Sequence, residues 1–370
     1  MKIPKLAIAV GAYPPDIGGP AKFAFEFSKW LASKGSRVTV LSLTDNPSST
    51  RLAEHENVQV TLVSKAQTLP LRFLTTIKIA RSLAKDHTFL VNGLFIEISL
   101  LTLLQKLKYV AKVPGDIVWE RATNQSETNL SVIDYQGTET LGKRVMRKLF
   151  VRALNKAEFV IVPSQQLKIL ALKWGVHKNK VVVLPNSANL ERFKARPKIE
   201  KKFDLITIGR LIPLKGISEL IEVAKQLNLS LAIVGGGPDE FALKELASQL
   251  GASVSFLGEI GADDVAENLN ASRIFVLNSS HEGSPHALIE AMACGMTCIA
   301  RENTGSVEII TNNINGFLYN SRSGLEEAIS KALEDKQMAI KLGNNAREDA
   351  IKRFSLEGNF SKIERLVSQI

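Results

Sequence analysis

Short β-branched runs alternate with amphipathic segments of helical period along the whole chain, and no other feature constrains its fold as strongly. Apolar runs of four to seven residues need cover on both faces, and helices with one apolar stripe supply it. This is the pattern of a parallel sheet flanked by helices, an α/β fold. In the first half the runs predict strands at Leu6–Val10, Val38–Leu43, Val58–Leu62, Phe89–Asn92, Tyr109–Val113, Phe159–Val162 and Val181–Leu184. The pattern then restarts at Asp204–Gly209, Leu231–Val234, Val254–Leu257, Ile274–Leu277 and Cys298–Ala300. Between the halves, PNSANLERFKARPKIEKK is polar, charge-rich and holds two prolines, as a connection between domains does. The expectation is two Rossmann-like domains, 1–187 and 203–353, joined by a linker over 188–202 and facing a cleft. A helix over 354–370 is expected to cross back to the first domain. Ligands of such sheets bind beyond the carboxyl ends of the strands.

A length of 370 residues suits two domains, each with its own core. Cys294 and Cys298 are read as reduced packing residues, since two cysteines make neither a disulfide framework nor a four-ligand metal site. The N-terminal MKIPKLAIAVGAY has the charge of a short signal peptide, but a turn-rich PPDIGGP follows its apolar run, so a buried strand is expected. Leu94 to Leu107 is the longest apolar stretch, and Glu97 and Gln105 interrupt it. A cytoplasmic protein is expected. Of the net charge of +10, residues 1–187 carry +13 (26 Lys/Arg, 13 Asp/Glu) and residues 188–370 carry −3 (21 against 24). The basic half therefore points to an anionic contact.

Three stretches bear chemistry. In HEGSPHALIEAMACG (281–295), NSSHEG turns after a strand, Ser284 is placed to cap a helix with Pro285 at its first position, and Gly295 ends it. At 100° per residue, Glu290 shares a face with His286, Ala287, Ala293 and Cys294, with Leu288 and Met292 opposite. Glu290 among small side chains can accept bonds from sugar hydroxyls such as a ribose diol. Glu282 and Gly283 lie in the loop before the helix, where backbone N–H groups suit a phosphate. The plain alternative is a Glu290 facing bulk water and a Glu282 that merely ends a loop.

In IGRLIPLKG (208–216), Gly209 and Arg210 follow a strand and Lys215 precedes a helix, two cations able to clamp a diphosphate. IVGGGPDE (233–240), with Gly235 and Gly237, permits close backbone approach, but it is not GxGxxG and no acidic residue follows at the dinucleotide-binding distance. Dehydrogenase chemistry is disfavoured. In GAYPPDIGGPAKF, Gly18 and Gly19 open a helix and are placed to present N–H groups to a ligand, or serve only the turn. His281 and His286 are five apart across a turn, not the HExxH spacing, and no Asp-x-Asp occurs, so no metal and no cofactor are expected.

Taken in order, YPPDIGGPA, GSRVTVLS, VLPNSANLERF, GRLIPLKGI, VGGGPDE, VSFLGEI, NSSHEGSPHALIEAMACG, INGFLY and RFS resemble the retaining glycosyltransferases of family 4, which have the GT-B fold. The resemblance spans nearly the whole chain, and its specific part is E-x7-E with EAMACG. It implies that Arg210 and Lys215 hold the donor diphosphate, that Glu282 lies near the donor sugar and that Glu290 binds the ribose. It also implies that Gly18 and Gly19 lie near the phosphates and acceptor, and that the Ile260 region meets the base. The implied activity is transfer of a hexose-type sugar, with retention, from a UDP- or GDP-linked donor to a glycan or lipid-linked acceptor. Rival readings are another GT-B enzyme, such as an epimerase or phosphorylase, and a non-catalytic sugar-nucleotide binder.

Two departures stand out. The histidine common after the fifth strand is missing from YVAKVPGDIVWERA, and Asp116 is the nearest polar replacement. It is placed either to bond a donor-sugar hydroxyl or to close a Pro-Gly-Asp turn. In PNSANLERF, Ser187 and Asn189 stand where relatives have Gly and Asp. The segments LPLRFLTTIKIARSLAK (69–85) and LGKRVMRKLFVRALNK (141–156) read as basic amphipathic helices, suited to peripheral contact with the anionic inner face of a membrane or simply to covering a sheet. Nucleic acid is not an expected partner, for want of a basic-aromatic platform.

Overall fold

A computed structural model describes residues 5–14, 16, 18–45, 57–125, 127, 128, 130–303 and 305–370. The chain divides into two compact units: one runs to Leu184 and takes in Phe360–Ile370, and the other is Pro185–Asn359. The first unit holds strands β1 (Lys5–Val10), β2 (Arg37–Thr44), β3 (Val58–Ser64), β4 (Thr88–Asn92), β5 (Tyr109–Lys112), β6 (Phe159–Val162) and β7 (Val181–Val183). The second holds β8 (Phe203–Ile208), β9 (Leu231–Val234), β10 (Val254–Gly258), β11 (Ser272–Leu277), β12 (Thr297–Arg301) and β13 (Phe317–Tyr319). The sheet orders are β3-β2-β1-β4-β5-β6-β7 and β10-β9-β8-β11-β12-β13, with parallel pairing such as β1 with β2 and β8 with β11. In each sheet the order of strands reverses at the first one, which has its successor on one side and a later strand on the other.

Helices of the first unit are α1 (Gly19–Ser33), α2 (Leu69–Leu83), α3 (Phe95–Leu104), α4 (Ile117–Asn124), α5 (Leu141–Lys156) and α6 (Gln165–Lys173). Those of the second are α7 (Ile217–Gln226), α8 (Glu240–Leu250), α9 (Ala262–Asn270), α10 (His286–Ala293), α11 (Arg322–Glu334) and α12 (Lys336–Arg353); α13 spans Leu356–Ser368. Alternation along the strands of the second unit divides its core in two. Ile206, Ala232, Phe275 and Cys298 pack with Leu288 and Met292 of α10 and Ala346 of α12. Their neighbours Leu205, Leu231, Ile274 and Ile299 pack with Leu220 of α7, Leu243 of α8 and Leu325 of α11. A parallel sheet covered on both faces requires this two-sided burial.

The apolar N-terminal run is β1, buried between β2 and β4. The expected 188–202 linker belongs instead to the second unit, where Ala188 and Phe193 enter the core and the Ala188 carbonyl accepts from Leu356 N. Polar composition concealed these two apolar anchors. The C-terminal helix does return to the first unit: Phe360 of α13 lies 5.0–5.9 Å from the rings of Phe23, Phe27 and Trp30 of α1. Strand β13, three residues long, is too short to show a period. Among the described residues, no helix is long and apolar enough to cross a membrane.

Candidate functional site

Strands β8 and β11 are neighbours at the point where the second sheet reverses its order, and their carboxyl ends carry the two loops singled out from the sequence. Such a switch point opens a crevice for ligands. After β8, Pro213–Lys215 form one 3-10 turn, closed by Gly216 at φ +60°. After β11, Ser280 N donates to the Leu214 carbonyl over 2.9 Å, stitching the two loops together. Lys215 Nζ then donates to Glu282 Oε1 at 2.5 Å, and both side chains are mostly shielded from solvent. Gly209 lies beneath the Lys215 stem: a Cβ there would sit 3.5 Å from Lys215 Cε. Arg210 is exposed, with no side-chain hydrogen bond or ion pair among the described residues.

Gly235 and Gly237 have a firm steric reason. At Gly235 (φ +126°) a Cβ would meet the Gly209 carbonyl oxygen at 2.0 Å, and at Gly237 it would meet Leu211 O at 2.4 Å. The β9 turn thus lies backbone to backbone on the Arg210 loop, with Leu211 N donating to Gly236 O over 2.9 Å. Ile260, half-buried after β10, packs against the α10 side of the core.

Helix α10 differs from its expected start. It begins at His286 with Pro285 in the cap position and no side-chain cap. The Ser284 hydroxyl instead accepts from Asn186 N over 3.2 Å, and the Ser284 carbonyl accepts from Asn186 Nδ2 over 2.7 Å. A distant partner took the group that local rules assigned to the helix. Gly283, Ser284, Pro285 and His286 therefore remain together as the entry to α10. Glu290 is only 4% exposed, so the bulk-water alternative fails. Its carboxylate lies close enough to Cys294 to help burial push that thiol up to about 12, in line with the shared face read from periodicity.

A network behind these loops was not legible from the sequence. Asn278, just past β11 and 2% exposed, accepts from Arg301 Nε (2.8 Å) and Tyr319 Oη (2.6 Å). Its Nδ2 donates to the Gly216 carbonyl (2.7 Å) and to Glu219 Oε2 (2.8 Å), and Arg301 also binds Glu219. The turn that carries Lys215 is thereby fixed to the ends of β11, β12 and β13.

In the first unit, Gly18 (φ +150°) caps α1 and Gly19 begins it; both are exposed, and the first turn holds no acidic residue. Asp116 is 1% exposed and heavily occupied. Its carboxylate caps α4 by accepting from Val118 N and Trp119 N, takes both guanidinium NH groups of Arg147 (2.6 and 2.9 Å) and accepts from Gln136. Arg147 also binds Glu139 and lies over the Trp174 ring. These bonds commit the Asp116 carboxylate to the α4 cap and to Arg147. Among the described residues, no cluster of three or more His, Cys, Asp or Glu is placed to hold a metal ion.

Residues 189–349 match the family model for glycosyl transferases group 1. The match lies within the second unit. Over 99% of the chain and 98% of the relative, the sequence is 23% identical to an uncharacterized glycosyltransferase of Methanocaldococcus jannaschii. It is 30% identical to N,N'-diacetylbacillosaminyl-diphospho-undecaprenol alpha-1,3-N-acetylgalactosaminyltransferase of Campylobacter jejuni, over 60% of this chain and 63% of that one. The structure of HepE from Anabaena, solved with UDP and glucose, superposes with a TM-score of 0.81 at 20% identity, covering 99% of this chain and 100% of that one. The fold is GT-B.

Proposed function

We propose that the protein is a retaining, metal-independent glycosyltransferase of family 4. It would move a hexose-type sugar from a UDP- or GDP-linked donor to a glycan or lipid-linked acceptor. The observation that carries this reading is the Lys215–Glu282 pair at the β8/β11 switch point, in the same β8 loop as Arg210, whose side chain has no partner among the described residues. Two cations and the N–H groups at the start of α10 suit a diphosphate, whose charge grows as the bond to the sugar breaks. In this reading Lys215 and Arg210 stabilise that leaving group. Glu282, already holding Lys215, orients the cation and meets the donor sugar. Glu290 binds the ribose, Ile260 borders the base, and Gly18 and Gly19 offer N–H groups to the phosphates or the acceptor. Gly209, Gly235 and Gly237 keep the donor loops close enough to form one surface. Asp116 holds the acceptor unit's framework rather than the reacting atoms.

The Campylobacter relative is named for a diphospho-undecaprenol acceptor, and HepE was crystallised with UDP and glucose; both favour this donor and acceptor class. Peripheral association with an anionic membrane, at the cytoplasmic face, belongs to the same proposal. Leu71 and Leu74 of α2 and Leu141 and Val145 of α5 are exposed alongside Lys78, Arg81, Arg144 and Lys148. The test is a thermal-shift series with UDP-, GDP- and ADP-sugars. A shift confined to one nucleotide family is expected, and no shift with any of them at millimolar concentration would refute the donor site.

A further inference from the structure

Helix α4 follows β5 at the carboxyl edge of the first sheet, the edge at which ligands of such sheets bind. Two carboxylates, Asp116 and Glu120, sit at its start, and a third, Glu139, shares Arg147 with Asp116. Asp116 is saturated by five donors, and Glu139 is held by Arg147 and by Gly137 N. Glu120, one turn after Asp116, is exposed and has no side-chain partner among the described residues. Its side chain does not extend away from the protein. A Cβ on Gly115 would lie 2.2 Å from Glu120 Oε1, so the carboxylate is folded back over the Pro-Gly-Asp turn, in space open only because residue 115 is glycine.

A carboxylate held against the strand ends and given no donor by its own protein is poised to accept from a ligand. Its own charge and that of Asp116 one turn earlier disfavour an anionic group there and suit neutral hydroxyls. We propose that Glu120 binds a hydroxyl of a neutral, sugar-like acceptor at the carboxyl edge of the first unit, with Gly115 making room for it. This inference rests on the donor reading of the second unit, because an acceptor presupposes a donor. Although the residue keeps contact with solvent, the surrounding protein first and the Asp116 carboxylate second push its carboxyl up to about 7. That is further indication that no cation of the protein serves it.

The experiment uses the full chain, its preferred nucleotide sugar and a panel of methyl glycosides as acceptors. Glu120→Gln removes the charge, while Gly115→Ala leaves the carboxylate in the protein but displaces it. Both are expected to raise the KM for the glycoside at least tenfold, with nucleotide affinity, donor hydrolysis and melting temperature as in the parent. Unchanged KM and kcat in both variants, with donor hydrolysis intact, would overturn the role of Glu120 and leave the donor site standing. Loss of melting temperature in Glu120→Gln together with lost transfer would also overturn it, by placing the carboxylate in the framework of the fold. A parent that neither binds nor hydrolyses any nucleotide sugar would overturn the donor reading, and this inference with it.

Discussion

Replacing Asn278 by alanine should loosen the Pro213–Lys215 turn, because its amide ties that turn to the ends of three strands. In the parent, one amide makes four hydrogen bonds, to Arg301, Tyr319, Gly216 and Glu219. After truncation Arg301 and Glu219 still hold each other, so the main loss falls on two groups. The buried Tyr319 hydroxyl and the Gly216 carbonyl lose partners at 2.6 and 2.7 Å. Leaving a buried polar group unsatisfied costs about 1–3 kcal/mol, so the pair costs roughly 2–6 kcal/mol. For a unit of this size that is a fall in melting temperature of roughly 4–24 °C. The kinetic consequence is separate: Lys215 sits one residue before the freed carbonyl, so kcat should fall more than nucleotide affinity. Differential scanning fluorimetry and nucleotide-sugar turnover read the two effects. Asn278→Asp should be worse still, since it sets a second carboxylate against Glu219. An Asn278→Ala protein melting within about 2 °C of the parent and turning over normally would refute the reasoning.

Further outcomes follow from the same geometry. Lys215→Ala should lower kcat/KM by about 10²–10³-fold, the usual effect of removing a group that stabilises transition-state charge; near-parent transfer would remove the pair from the site. Gly235→Ala should cost about 1–2 kcal/mol from the left-handed backbone alone and more from the collision with the Gly209 carbonyl, visible as reduced soluble yield and a lower melting point. Lys112, at the end of β5 and 4% exposed, has its pKa lowered by burial from 10.5 to about 8. The unfolded chain therefore binds more protons between these values, so stability should rise as pH goes from about 8 to 10.5, by up to about 3 kcal/mol, and Lys112→Met should flatten that rise. A parent whose denaturation midpoint falls over that range would contradict it. Vesicles rich in anionic lipid should sediment the protein at low salt and release it at high salt, and Leu71→Ser with Leu141→Ser should weaken the binding. No sedimentation at low salt would end the membrane proposal.

The sheets were legible because each strand is a local fact. Burial on both faces demands an uninterrupted apolar run, and twelve such runs can be read without knowing what packs on them. The placement of Lys215 and Glu282 was legible for a related reason: both follow strand ends, and adjacent strand ends at a reversal of order bring their loops together. Periodicity put Glu290 on the Cys294 face but could not say that the face is closed to water. Ser284 shows the limit of local rules, since a good capping residue gave its hydroxyl to Asn186, 98 positions away.

The composition of the 188–202 segment suggested a linker, and two apolar side chains overruled it by entering a core. The residues that hold the site rigid were invisible for a simpler reason. Asn278 and Glu219 are 59 positions apart, Arg301 and Glu219 are 82 apart, and Asp116 finds Arg147 across 31. A polar residue next to a strand end reads the same whether it is solvated or locked. By itself the sequence determined the two sheets and the loops of the candidate site, because hydrophobic periodicity and backbone sterics act over a few residues. Only the tertiary structure decided which of those side chains are spent on the framework and which, like Arg210 and Glu120, have no side-chain partner among the described residues, because the partner of a buried charge is chosen by proximity in space.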